Sequence, residues 1–296
     1  MRLCGVVLLL LVAPFPSPAS ALSAPPGPKV TILYDAFGDR AGLTRDWGFA
    51  ALVEYRGKRV LFDTGNNAEA FAHNVRALHL DLRTLDFVVI SHRHGDHIAG
   101  LAYVLSTNAH VRVFAPRENF GIFGATVPGS LLRPDTTLPV RMRYFDGEPP
   151  AEFQGGTVWP TAAFTLVDSL IEPVPGFVIL STVSKTPGTL ELRELSLAIR
   201  TPEGLVLLVG CSHPGIETIL EAATSAGDHV HVLFGGLHLV TTPEPEIARI
   251  ATSLHEHWQL DLVAPGHCTG EPGFAALQRV FGNRYIYAGL GTVVQL

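Results

Sequence analysis

Cysteine is scarce in this chain, which carries 3 in all. Cys4 lies ahead of the apolar N-terminal run, so Cys211 and Cys268 leave room for one disulfide at most. Charge is scarce too: charged residues make up 16%, the formal net charge is −6, and no run of lysine or arginine occurs. A nucleic-acid partner is therefore not expected, because its phosphates call for a basic surface. Past the first residues no segment stays apolar over the ~20 residues a membrane helix needs, so stable membrane insertion is not expected either. The Gly-x-Ser-x-Gly elbow of serine hydrolases is missing, since Ser212 stands in Gly-Cys-Ser-His-Pro.

The N-terminus has the features of an export signal. Arg2 gives a small positive region, Val6 to Ala13 form a short apolar run, and Ala19-Ser20-Ala21 offers a cleavage site. Pro14 and Pro16 break the run before it could span a bilayer. Residues 1–21 are expected to be a signal peptide cleaved after Ala21, leaving a secreted or periplasmic chain of residues 22–296. At 47% hydrophobic, that chain can build one large domain with a substantial core.

Short strands and helices alternate along it. Val30 to Leu33 reads as a strand, and the runs Trp47 to Tyr55 and Arg59 to Phe62 read as a hairpin turning at Arg56-Gly57-Lys58. A helix over 68–78 places Phe71, Val75 and Leu78 on one face. Phe87 to Ile90 is a buried strand, with a helix over 98–105 and a strand over 111–114 after it. Residues 117–160 are rich in glycine and proline and weakly periodic, an irregular insertion near the pocket mouth. Strands follow at 177–182, 195–200, 205–209, 230–234, 262–264 and 291–295, with helices over 216–226, 244–258 and 274–281. The pattern predicts an α/β (α+β) fold of two mixed β-sheets with outer helices.

The densest chemical signal is Ser91-His92-Arg93-His94-Gly95-Asp96-His97, directly after a buried strand. His-x-His-x-Asp-His at a strand end brings four metal-binding side chains to one point. Imidazole nitrogen and carboxylate oxygen suit a borderline cation such as zinc. Further strand ends carry candidates of the same kind: Asp63, Cys211 with His213, His238, and His267. Cys211 and Cys268 each sit beside a histidine, so a disulfide and a metal role compete for them. His73 and His79 lie on or beside the first helix and are expected at the surface, while His110, His229 and His231 flank strands and His255 and His257 sit on a polar helix end, with no functional role expected.

With these residues assembled, the chain resembles the metallo-β-lactamase superfamily. Leu61-Phe62-Asp63-Thr64-Gly65, the His92 to His97 motif and Gly266-His267 carry the likeness. Within the superfamily it is most similar to the dihydropterin-ribofuranosylaminobenzene 5′-phosphate synthase-like family. Trp47-Gly48-Phe49, Gly210-Cys211-Ser212-His213-Pro214-Gly215-Ile216, Gly235-Gly236-Leu237-His238-Leu239 and Gly266-His267-Cys268-Thr269-Gly270 carry that closer likeness.

The resemblance implies a four-layer αβ/βα sandwich with a dinuclear metal site between the sheets. It implies that His92 and His94 hold one metal, that Asp96 and His97 hold the other, and that His267 joins them. Asp63 is implied to orient a ligating imidazole by hydrogen bonding. Cys211 stands where a bridging aspartate is usual, and Thr186-Pro187-Gly188 stands where a further histidine ligand often lies, so His213 is the natural substitute. Asp96 and His238 are the residues expected to act in catalysis, His238 as a ligand or as an acid facing the substrate.

Two Zn2+ ions held this way would lower the pKa of a shared water from roughly 15.7 towards neutrality. The expected function is an exported hydrolase of a phosphoester or related small-molecule ester. Iron or manganese could take the same ligands. A di-iron oxidoreductase would normally have glutamate where His94 stands, and a non-catalytic metal-binding protein would normally have lost ligands.

Overall fold

The computed structural model describes residues 27–117, 125–155, 164–185, 192–225 and 228–296. The expected signal peptide and the 186–188 position lie outside the described residues.

Two sheets are built in succession. The first half supplies β1 (Lys29–Tyr34), β2 (Ala50–Tyr55), β3 (Lys58–Phe62), helix α1 (Ala68–Ala77), β4 (Phe87–Val89), helix α2 (Leu101–Thr107) and β5 (Arg112–Pro116). Next come β6 (Ala125–Pro128), β7 (Glu152–Gly155) and β8 (Phe164–Val167). The second half adds β9 (Ile171–Val174), β10 (Phe177–Val183), β11 (Arg193–Thr201), β12 (Gly204–Val209) and helix α3 (Ile216–Thr224). The chain closes with β13 (Val230–Gly236), helix α4 (Glu244–Glu256), β14 (Leu262–Gly266), helix α5 (Glu271–Phe281) and β15 (Val293–Gln295).

Among the described residues one large sheet has 7 strands in the order β15-β1-β2-β3-β4-β5-β8, the second has 6 in the order β14-β13-β12-β11-β10-β9, and β6 and β7 form a small third sheet. Both large sheets are mixed. β1, β2 and β3 pair antiparallel while β3, β4 and β5 pair parallel. β10, β11 and β12 pair antiparallel while β12, β13 and β14 pair parallel.

The side-chain period of 2 in each strand sorts the core into layers. Val30, Ile32, Val53, Phe62, Phe87 and Val89 meet Phe177, Ile179, Leu197, Leu208 and Phe234 between the sheets. Their neighbours Leu61, Val88 and Val113 face the other way, onto Phe71 and Val75 of α1 and Leu101 and Val104 of α2. On the far side Leu205, Leu207, Val209 and Leu233 pack against α3, α4 and α5. Each fully buried side chain of this size is worth about 1.5–3 kcal/mol. This is the expected four-layer sandwich.

Several element limits differ from the sequence reading for local reasons. β2 starts at Ala50, because the chain before it bends to the histidine turn, where the Phe49 amide donates to the Asp96 carbonyl at 3.3 Å. α2 starts at Leu101, because residues 95–97 first form a tight 3₁₀ turn. α5 starts earlier than expected, at Glu271, with Pro272 in its first turn, where proline costs no hydrogen bond.

The described residues of the 117–160 insertion have more order than their composition suggests. β6 and β7 pair antiparallel. Between them, Leu132, Leu138, Met142 and Tyr144 are buried with Ala36, Phe37, Trp47 and Phe274. That cluster forms one flank of the candidate centre.

Candidate metal centre

Parallel strands end at one edge, and the loops that leave them carry the chemistry. Asp63 follows β3, in the left-handed region at φ 58°. Its carboxylate accepts from the Ser91 amide at 2.7 Å, from the Ser91 hydroxyl at 2.7 Å and from His97 Nδ1 at 2.7 Å. With Nδ1–H given to Asp63, His97 turns Nε2 into the centre. There it lies 3.2 Å from Cys211 Sγ and 3.2 Å from His267 Nε2. Ser91 Oγ also lies 2.8 Å from His92 Nδ1, so a single hydroxyl braces the start of the motif. Gly210 makes this approach possible, since a Cβ there would sit 2.2 Å from Ser91 Oγ.

The second sheet delivers the opposite wall. The Cys211, Ser212 and His213 amides donate to the Glu194 carboxylate of β11 at 2.8, 2.7 and 2.8 Å. Glu194 is fully buried, and burial raises its carboxyl against the pull of those three donors. Its grip sets the loop that carries Cys211 and His213. His267, at φ 47°, is held from both sides. Its amide donates to Asp35 Oδ2 at 2.8 Å, and its carbonyl accepts from the Tyr144 hydroxyl. Tyr144 in turn accepts from the Gly270 amide at 2.9 Å, and the Trp47 and His267 rings are centred 4.8 Å apart.

The structure brings the candidate residues of both halves together. His92, His94 and His213 form one three-residue group, and Asp96, His97 and His267 form another. His92, His97 and Cys211 form a group that links the two. Within each group the ligand atoms lie within 4.8 Å of one another. His238 lies beside these sets, its ring centred 4.2 Å from that of His213, in a further group with Cys211 and Cys268. Both cysteines are buried free thiols, so the disulfide alternative is not realised; Cys268 Sγ donates to the Cys211 carbonyl at 3.6 Å.

The electrostatics suit a cation. Burial, reinforced by neighbouring imidazoles, holds His92 and His213 well below the usual histidine range. Burial likewise takes His94 down to about 4. Burial opposes charge on His97 as well, but the Asp63 and Asp96 carboxylates outweigh it and raise that ring to about 9. Burial works against an ionised Asp96, yet His97 and His267 overcome it and hold its carboxyl far below the carboxylate range. Burial pushes the Cys211 thiol up and raises Asp35 to about 7.

The donors fit a borderline divalent cation. His92, His94 and His213, held below the usual histidine range, present lone pairs, and Asp96 adds negative charge. Among the described residues, His213 Nε2 is buried with no hydrogen-bond partner, as are His238 Nδ1 and His267 Nδ1. Buried nitrogens are rarely left so without an ion or water to satisfy them.

Ser91, Asp35, Glu194 and Tyr144 escaped the sequence reading. Asp35 is an acid just after a strand, the same signal that marked Asp63. Glu194 had a weaker one, an acid inside the apolar run of β11. Nothing local singled out Tyr144.

A family model described as the metallo-beta-lactamase superfamily matches residues 44–253. The 7,8-dihydropterin-6-methyl-4-(beta-D-ribofuranosyl)-aminobenzene-5′-phosphate synthase of Methanocaldococcus jannaschii is 26% identical over 256 residues, covering 81% of this chain and 86% of that protein. Ribonuclease Z of Nanoarchaeum equitans is 35% identical over 71 residues, 22% of each chain. A solved metal-dependent hydrolase of the β-lactamase superfamily is 26% identical, with a TM-score of 0.69 over 91% of this chain and 99% of that one. The relatives thus include a small-molecule enzyme and a ribonuclease.

Proposed function

The chain belongs to the metallo-β-lactamase superfamily, and on that premise we propose that it is a dinuclear zinc hydrolase of small phosphoesters or related esters. We further propose that it works outside the cytoplasm, after loss of residues 1–21. One observation carries the catalytic reading. The group His92, His94 and His213 and the group Asp96, His97 and His267 stand side by side, linked through His92, His97 and Cys211. Two adjacent ligand sets suit two ions, the first with three imidazoles and the second with a carboxylate.

When bound, such a pair supplies Lewis acidity and a nucleophile drawn from water at neutral pH. The chain's own residues do the rest. Asp63 keeps the proton of His97 on Nδ1 and so keeps Nε2 free to ligate. Glu194 holds the 211–213 loop, and Asp35 with Tyr144 holds His267. His238 lies next to the histidine sets with Nδ1 unpartnered, and it is assigned to protonate the leaving-group oxygen. The apolar flank of Trp47, Leu132, Leu138 and Tyr144 restricts water.

A phosphoester is favoured because one relative is a 5′-phosphate synthase and another a ribonuclease. A small substrate is favoured over RNA by the net charge of −6 and the lack of basic runs. The deciding experiment loads the metal-free protein with zinc, counts the metal, and assays an aryl phosphodiester, an aryl phosphomonoester, a lactone and a short RNA. Two zincs at the centre with turnover of the aryl phosphodiester is the expected result. Native iron with a visible absorbance band would point to oxidoreductase chemistry. Turnover of RNA alone, or zinc without any turnover, would overturn the proposal.

A further inference from the structure

A separate group of ligating side chains sits at the opposite end of the second sheet. His229 precedes β13 and His231 is its second residue, while Asp261 directly precedes β14. Along β12 the pairing passes from Leu205↔Val230 to Val206↔Val232, skipping His231. Such a bulge re-aims the side chain it carries. β13 and β14 pair with Val232 opposite Leu262, which puts Asp261 level with His231. His231 Nδ1 lies 2.8 Å, and His229 Nε2 3.2 Å, from the same oxygen, Asp261 Oδ2. The ligand atoms of all three residues lie within 4.8 Å of one another. Gly204 makes room for this arrangement, since a Cβ there would lie 2.7 Å from His229 Cε1.

We propose that His229, His231 and Asp261 form a surface site for a divalent transition cation, distinct from the centre at the other sheet edge. Two imidazole nitrogens and one carboxylate suit Zn2+, Cu2+ or Ni2+, whereas Ca2+ and Mg2+ prefer all-oxygen shells. The side chains of His229 and Asp261 are 57% and 48% exposed, so a cation reaches the site directly from solvent. From His231 to Gly236, at the centre's end of β13, is roughly 16 Å of strand, too far for a shared ion. A cation here ties the start of β13 to the turn before β14, and it stabilises the fold to the extent that it binds the folded form. Three protein ligands leave at least one coordination position to water.

The test uses the full chain, stripped of metal and titrated with Zn2+ by calorimetry, with bound metal counted after equilibrium dialysis. The His229→Ala/His231→Ala double variant should bind one equivalent fewer than the parent. It should also lose the rise in melting temperature that zinc gives beyond filling the centre, while keeping the parent's turnover. Should that variant fail to fold, Asp261→Asn keeps both rings, and its surface equivalent should bind at least tenfold more weakly. With the centre first filled by Zn2+, one added equivalent of Cu2+ should show nitrogen hyperfine coupling from two imidazoles in the parent and not in the double variant. An unchanged number of equivalents in both variants overturns the proposal, leaving the three residues as a surface ion pair. A loss of turnover without loss of an equivalent overturns it as well.

Discussion

Asp63 Oδ2 and His97 Nδ1 lie 2.7 Å apart, both side chains fully buried, across 34 residues of sequence. That contact fixes which nitrogen of His97 faces the centre. Asp63→Asn keeps the shape but removes the charge that holds the Nδ1 proton. Metal affinity should fall about 10–100-fold, measured by competition with a chromophoric chelator, while circular dichroism stays native. Unchanged affinity would deny Asp63 its orienting role.

His94 is the test of the ligand set that needs the least refolding. It is less buried than its neighbours and leans on His92 and His213, with ring centroids 4.7 and 4.8 Å away. His94→Ala should abolish hydrolysis and bind one metal equivalent fewer. Its melting temperature should move by no more than ~4 °C, the equivalent of about 1 kcal/mol in a domain of this size. Retained turnover would exclude His94 from the centre.

Cys211 makes a spectroscopic prediction. Its sulfur lies 3.2 Å from His97 Nε2, within the group that links the two ligand sets. Cobalt-loaded protein should show a thiolate-to-metal charge-transfer band that Cys211→Ser abolishes. A parent spectrum without such a band would show that Cys211 does not ligate.

Glu194 should matter for stability as much as for chemistry. Its carboxylate receives three amide hydrogen bonds in a fully buried setting. Glutamine would replace one accepting oxygen by a donor and set two N–H groups face to face. Glu194→Gln should cost about 2–3 kcal/mol, read from urea unfolding, and should lower metal affinity at His213.

A pH effect is expected where α3 meets α4. Arg249 hydrogen-bonds Glu217 at 2.7 Å and holds its carboxyl down, from the ordinary 4.5 to about 2. A carboxylate depressed on folding stabilises the protein above the unfolded value, and that contribution fades as pH falls from about 4.5 to about 2. Both side chains are partly exposed, so it stays below ~1 kcal/mol. Glu217→Gln should melt slightly below the parent at pH 7, and the two melting curves should converge near pH 2. A gap that widened with acid would contradict this.

The legible part of the site was the part written locally. His92, His94, Asp96 and His97 sit within one turn after a buried strand, so their chemistry can be read without knowing the fold. Asp63, His213 and His267 were readable as a repeated signal, a ligand type just past an apolar run. Asp35 repeats that signal. Glu194 and Tyr144 were not readable, because a buried acid's partners and a tyrosine's distant carbonyl depend on loops far away in sequence. The buried residues of the 117–160 insertion were unreadable for a related reason. They share one cluster with Phe37, Trp47 and Phe274, which are distant in sequence, so they leave no periodic trace.

By itself, then, the sequence determined the order of the helices and of the strands outside 117–174, the two-sheet class and the residue types able to hold a metal. Those follow from short-range rules: period 2 in strands, amphipathic helices, and ligands clustered at strand ends. Only the tertiary structure decided how the two halves meet. It set His97 against Cys211 across 114 residues and His97 against His267 across 170, and it gave each ligand the group that aims it. Contacts at such separations arise when two sheets pack face to face, and no local pattern encodes that geometry.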